Sequence, residues 1–71
     1  MEEVNIQSEF IQLDQFLKWV GIAQTGGHAK ILISEGSIEV NGDMENKRSR
    51  KLQHGDQISV RNAGKYKIVR E

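Results

Sequence analysis

The chain is predicted to be an α+β domain, a two-helix pair packed on a small, mainly antiparallel β-sheet. Three observations predict it. Leu13, Phe16, Leu17 and Val20 repeat at the spacing of one helical face. A second helical stripe, Ala29, Leu32 and Ile33, follows after a four-residue connection, residues 21–24. From Ile38 onward the apolar period changes to two, punctuated by Asn41-Gly42, Gly55-Asp56 and Asn62-Ala63-Gly64. At 71 residues there is room for one domain, residues 1–71, with a thin core.

Each element follows in order. Val4 and Ile6 alternate with polar neighbours, as in a short strand. Phe10 and Ile11 lead into the first helix, expected over residues 13–20, with Gly21 placed to end it. Thr25 is a good N-cap for the second helix, and Gly36 stands where a left-handed residue usually closes one. A connection this short makes the two helices a compact, helix-turn-helix-like pair. Ile38 and Val40 then begin a hairpin, because Asn-Gly suits the positive φ angles of a type I′ turn. Its second strand is expected over residues 43–45. Lys47-Arg48-Ser49-Arg50-Lys51 has no buried pattern and reads as a loop. Leu52 and the turn at His54-Gly55-Asp56 lead to a strand over residues 58–60, and a last strand spans residues 66–69. The expected order is β-α-α-β-β-β-β.

Ten basic and ten acidic side chains cancel, so net charge alone does not point to nucleic acid. Their distribution does. Residues 1–46 hold two basic and eight acidic side chains, a net of −6, whereas residues 47–71 hold eight basic and two acidic, a net of +6. Such segregation gives one side of a small domain a field that favours an anionic partner. The competing explanation is a solvated surface whose signs happen to separate.

Two stretches carry the binding chemistry. Lys47, Arg48, Arg50 and Lys51 place four cations within five residues, and a loop can offer them to a phosphate backbone. By itself a charge run is weakly specific. In Thr25-Gly26-Gly27-His28-Ala29-Lys30, a helix start offers unpaired N–H groups, and two glycines leave them open to close approach. Lys30 lies off the apolar stripe. The alternative is that the glycines only shape the turn. The spacing of lysine and hydroxyl is not that of a Walker loop.

The segments Leu13-Asp14-Gln15-Phe16-Leu17-Lys18, Thr25 to Lys30, Glu35-Gly36-Ser37-Ile38-Glu39-Val40-Asn41-Gly42 and Leu52-Gln53-His54-Gly55-Asp56-Gln57-Ile58 together resemble the S4 RNA-binding domain. The resemblance covers about residues 11–60. Its most specific parts are the Gly-x-x-x-Val-Asn-Gly run and the later Gly-Asp. Among subtypes the chain is most similar to the stand-alone bacterial YaaA/YbcJ-like proteins, in which a Gly-Gly or Gly-Ala pair and a segment like Glu45-Asn46-Lys47-Arg48 recur. The resemblance implies an S4-like fold with its alpha-L motif. It also implies contacts from the start of the second helix and the loop after the hairpin to structured RNA, often ribosomal. Many members begin the second helix with Ser-Arg, whereas this chain has Thr25-Gly26. That departure moves the expected contact to the backbone amides of Gly26 and Gly27, with Lys30 and the basic loop.

The expected RNA-binding residues are therefore Thr25, Gly26, Gly27, His28, Lys30, Lys47, Arg48, Arg50 and Lys51. His28 is a weaker candidate than its neighbours, and His54 reads as structural. Trp19 lies beside the first helical stripe, where boundary packing is expected over stacking on a base. No catalytic residue is expected: the serines are scattered outside any nucleophile elbow, and the carboxylates are dispersed. Two histidines and no cysteine make a metal site unexpected, and no cofactor is called for. With no apolar run above three residues, neither a membrane span nor a secretory leader is expected, and a cytoplasmic monomer is the default. The reading is a non-catalytic module for structured RNA, ribosomal RNA foremost, in ribosome assembly or translation. Its alternatives are a protein-interaction module with a basic face and a duplex-DNA binder.

Overall fold

A computed structural model describes residues 1–71. The first strand, β1 (Glu2–Ile6), buries Val4 and Ile6 and leaves Glu3 and Asn5 outside. A two-residue strand, β2 (Ile11–Gln12), runs straight into helix α1 (Leu13–Trp19), whose Leu13, Phe16 and Leu17 are buried. The helix ends one residue sooner than the spacing predicts. Val20 is its C-cap, and the Gly21 N–H donates to the Lys18 carbonyl at 3.1 Å with φ at +82°. Helix α2 (Gly26–Ser34) packs on α1 and buries Ala29 and Ile33.

Strands β3 (Ile38–Val40) and β4 (Asp43–Met44) form the expected hairpin, with Asn41 at φ 54° and Gly42 at φ 88°. Both central residues have positive φ, as a type I′ turn requires. Strands β5 (Lys51–Leu52), β6 (Gln57–Val60) and β7 (Gly64–Arg70) complete the chain. The main sheet runs β1-β7-β6-β3-β4, antiparallel except for the parallel pair of β1 and β7. The pair of β2 and β5 forms a small second sheet.

Alternation along the strands sends Val4, Ile6, Ile38, Val40, Ile58, Val60, Tyr66 and Ile68 to one face, which the helices cover. Phe16 reaches from α1 to meet Tyr66 edge-on, with ring centroids 5.6 Å apart at 79°. Leu52 of β5 joins this core, so the short β2/β5 pair is anchored by an apolar side chain.

The most recognisable sequence segments also hold each other. The Asn41 amide donates to Asp56 Oδ1 at 3.0 Å, and its oxygen accepts the Gln57 N–H at 2.9 Å. The other Asp56 oxygen accepts the Gln53 N–H at 2.8 Å. Asn41-Gly42 and Gly55-Asp56 are thus one clasp between two turns. His54, read as structural, accepts the Arg70 N–H at Nδ1 (3.0 Å) and ties the same turn to the end of β7.

Candidate RNA-binding surface

At the start of α2, Thr25 has extended φ and ψ, and its hydroxyl oxygen accepts the His28 N–H at 3.0 Å. The first intrahelical bond runs from the Ala29 N–H to the Thr25 carbonyl, also at 3.0 Å. Thr25 therefore serves as the cap, and its side chain is occupied in that role. His28 reaches back in turn, its Nδ1 accepting the Gln24 N–H at 3.3 Å. An accepting nitrogen carries no proton, so the neutral ring keeps its hydrogen on Nε2. His28 is exposed and presents a donor while it locks the turn.

The N–H groups of Gly26 and Gly27 precede the first intrahelical bond and have no acceptor within the chain. Neither glycine has a positive φ. A Cβ at Gly26 would meet nothing within 4 Å, and one at Gly27 would meet only the Thr25 hydroxyl at an ordinary 3.8 Å. The fold does not require glycine at either position. Lys30 is exposed one turn further on, beside buried Ala29.

The basic stretch is more ordered than its composition predicts. The Arg48 and Arg50 carbonyls accept the N–H groups of Asp14 and Leu13, at 3.0 and 2.8 Å. These bonds satisfy two of the free donors at the start of α1, where Gln12 supplies no side-chain cap. The expected loop thus closes one end of a helix. Its last residue, Lys51, opens β5 and pairs with Gln12. The Lys51 Nζ also sits 4.8 Å from the centre of the Phe10 ring. Lys47, Arg48 and Lys51 are exposed.

Arg50 is engaged within the chain. Its Nη1 donates to Glu45 Oε1 at 2.6 Å, with side-chain exposures of 40% for Arg50 and 15% for Glu45. The other Glu45 oxygen accepts the Lys47 N–H at 3.2 Å. The Arg50 hydrogen bond, with help from Lys47, holds the Glu45 carboxyl below its ordinary value of 4.5, against a smaller desolvation effect that raises it. A lowered carboxyl pKa stabilises the folded arrangement above the ordinary value, and that stabilisation is lost as pH falls through the folded value. Acidification below about pH 4.5 is therefore expected to loosen the 45–50 turn before the core melts. Amide exchange at Lys47 and Arg50 should accelerate between pH 5 and pH 3 relative to core amides, after correction for intrinsic rates, on the order of tenfold or less, because solvent at the Arg50 side screens the pair. In Glu45→Gln the relative rates should be flat over that range.

Helix α1 relates the two stretches. The basic loop caps its first turn, and the chain leaving its last turn leads into α2. Seven residues of helix span about 10 Å. Sequence reasoning missed the Glu45–Arg50 pair and the Lys51–Phe10 stack, because neither follows a helical or strand period. It also expected Trp19 to pack at the boundary. The structure leaves Trp19 68% exposed, because α1 turns only Leu13, Phe16 and Leu17 inward.

Comparison with known proteins agrees with this architecture. The family model for the S4 domain matches residues 4–69, beyond the 11–60 core that the motifs delimit. The chain is 39% identical over 66 residues to the probable ribosome maturation protein RlbA of Bacillus subtilis (strain 168), covering 93% of each chain. With two helices on a mainly antiparallel sheet and a family match from β1 into β7, the chain belongs to the S4 domain family of RNA-binding modules.

Proposed function

We propose that the protein docks on folded RNA, ribosomal RNA or its precursor, through phosphate contacts at the start of α2 and at the 47–51 loop, and acts in ribosome maturation by binding alone. The carrying observation is the pair of unpartnered amides at Gly26 and Gly27. They stand at the positive end of a nine-residue helix, with open space where a Gly26 side chain would be and only the Thr25 hydroxyl near that of Gly27. A phosphate oxygen can approach such amides closely, and the helix dipole favours its charge. The His28 Nε2–H adds a donor on the same turn, and exposed Lys30 adds a cation one turn further on. Lys47, Arg48 and Lys51 supply exposed cations at the other end of α1, and the Glu45–Arg50 pair holds their loop in shape.

RNA is favoured over duplex DNA because the exposed part of α2 offers Gly27, His28, Lys30, Ile31 and Ser34. It lacks the arginine, asparagine or glutamine that reads base edges in a major groove. Structured RNA asks for shape and backbone contacts, which amides and lysines provide. Membership in the S4 family and the name of the B. subtilis relative support the ribosomal assignment.

The glycines give the test. Replacing Gly26 and Gly27 together with alanine should leave the fold intact and raise its stability by up to about 1 kcal/mol, since alanine loses less entropy in a helix. The same double variant should bind RNA on the order of ten- to a hundredfold more weakly, the loss expected of one or two charge-assisted hydrogen bonds. Thermal melting and a filter-binding titration against ribosomal RNA fragments measure both quantities. Unchanged affinity in the stabilised variant would remove the amides from the interface.

A further inference from the structure

Strand β1 lies at one edge of the main sheet, with β7 on its inner side. The Ile6 carbonyl accepts the Glu71 N–H at 3.1 Å, so Ile6, Val4 and Glu2 turn their main-chain groups toward β7. By the alternation of a strand, Glu3 and Asn5 turn theirs outward. No bond from another part of the chain reaches those groups. Beside this edge is a shallow groove of about 350 Å³, lined by Glu2, Glu3, Val4, Asn5, Trp19 and Val20. The lining therefore combines an open strand edge, a large exposed indole and two carboxylates, of which Glu3 has Lys67 of β7 as its inner neighbour and Glu2 has Tyr66.

We propose that this edge is a second docking site, independent of the RNA surface, for an extended basic segment of a partner protein. The incoming strand pairs with the outward N–H and C=O groups of Glu3 and Asn5, the mode by which exposed sheet edges take up peptides. Glu2 shares the helix-covered face with Val4 and Ile6, and Glu3 lies on the other face. Arginine or lysine side chains on the helix side of the incoming strand therefore meet Glu2 and the Trp19 face, where the ring's electron density attracts a cation. Charge decides the occupant. Phosphates of an RNA would be repelled by the two carboxylates, and a second copy would bring its own Glu2 and Glu3 to the same short edge. Trp19 contributes nothing to the core. Large aromatics of this kind dominate the energetics of protein interfaces.

The test uses the full chain and a synthetic peptide of alternating arginine and valine. Binding should shift the fluorescence of Trp19, the single tryptophan, and slow amide exchange at Glu3 and Asn5. Trp19→Ala and Glu2→Lys should each weaken the peptide about tenfold or more. A peptide with glutamate in place of arginine should not bind, nor should one methylated at alternate backbone nitrogens. RNA affinity of Trp19→Ala should equal that of the parent, which separates this site from the proposed RNA surface. Failure of the basic peptide to bind overturns the proposal, as does undiminished binding of the methylated peptide. So does loss of RNA affinity in Trp19→Ala, or sedimentation showing the edge taken by a second copy.

Discussion

Replacing Lys47, Arg48 and Lys51 together with alanine is expected to weaken RNA binding about 100-fold at 0.15 M salt. Each phosphate contact on a duplex contributes a slope of about −0.9 to the dependence of log affinity on log salt, worth about five- to sixfold at that concentration. With Lys30, the protein offers four such contacts, so the slope of the parent should be about −3 to −4 and that of the triple variant about −1. Arg50 is kept in this variant because its bond to Glu45 shapes the loop. The main-chain bonds from the Arg48 and Arg50 carbonyls to the start of α1 do not depend on the replaced side chains. Stability should fall by no more than about 1 kcal/mol, the worth of an exposed cation over an aromatic ring such as Lys51 over Phe10. A folded triple variant that retains its affinity and its salt slope removes the loop from the interface.

The largest effect on stability is expected at Phe16. It is fully buried and is the bulkiest of the wholly enclosed side chains. Its ring bridges α1 and β7 through the edge-on contact with Tyr66. Truncation to alanine should cost about 3–5 kcal/mol, from lost transfer energy and the cavity left behind. A domain of this length has a total stability of only about 4–11 kcal/mol. Phe16→Ala should therefore leave the chain largely unfolded at 37 °C, or melting many degrees lower, by circular dichroism. Phe16→Leu, which keeps most of the volume, should lose much less. Equal losses for both would show that the α1–β7 packing has been misjudged.

The parts of the molecule legible in the sequence are those governed by local periodicity and turn chemistry. Both helices, the Asn41-Gly42 hairpin and strands β6 and β7 lie within a few residues of where the apolar spacing puts them. The two-residue strands β2 and β5 add to the expected order, because only their mutual pairing makes them strands. Thr25 caps α2 as a side chain of that type should. Contacts between segments far apart in the chain were not legible. No spacing rule pairs β1 in parallel with β7, joins Asn41 to Asp56, or closes the start of α1 with the carbonyls of Arg48 and Arg50. The candidate surface divides in the same way. The glycine pair and the basic run stand out as residue types in a row, whereas the engagement of Arg50 by Glu45 exists only after the hairpin has brought them together. The exposed Trp19 shows the limit of a helical-wheel argument, because a position beside the stripe is buried only if another element covers it.

By itself the amino-acid sequence determined the fold class, the helix start with its open amides, the charge segregation and the S4 resemblance. Each of these depends on residues close together in the chain. The tertiary structure alone decided which cations stay free, which helix end the basic loop closes and which strand edge is left unpaired. Those outcomes depend on which distant segments meet when apolar side chains are driven from water, and that choice is made by the whole chain at once.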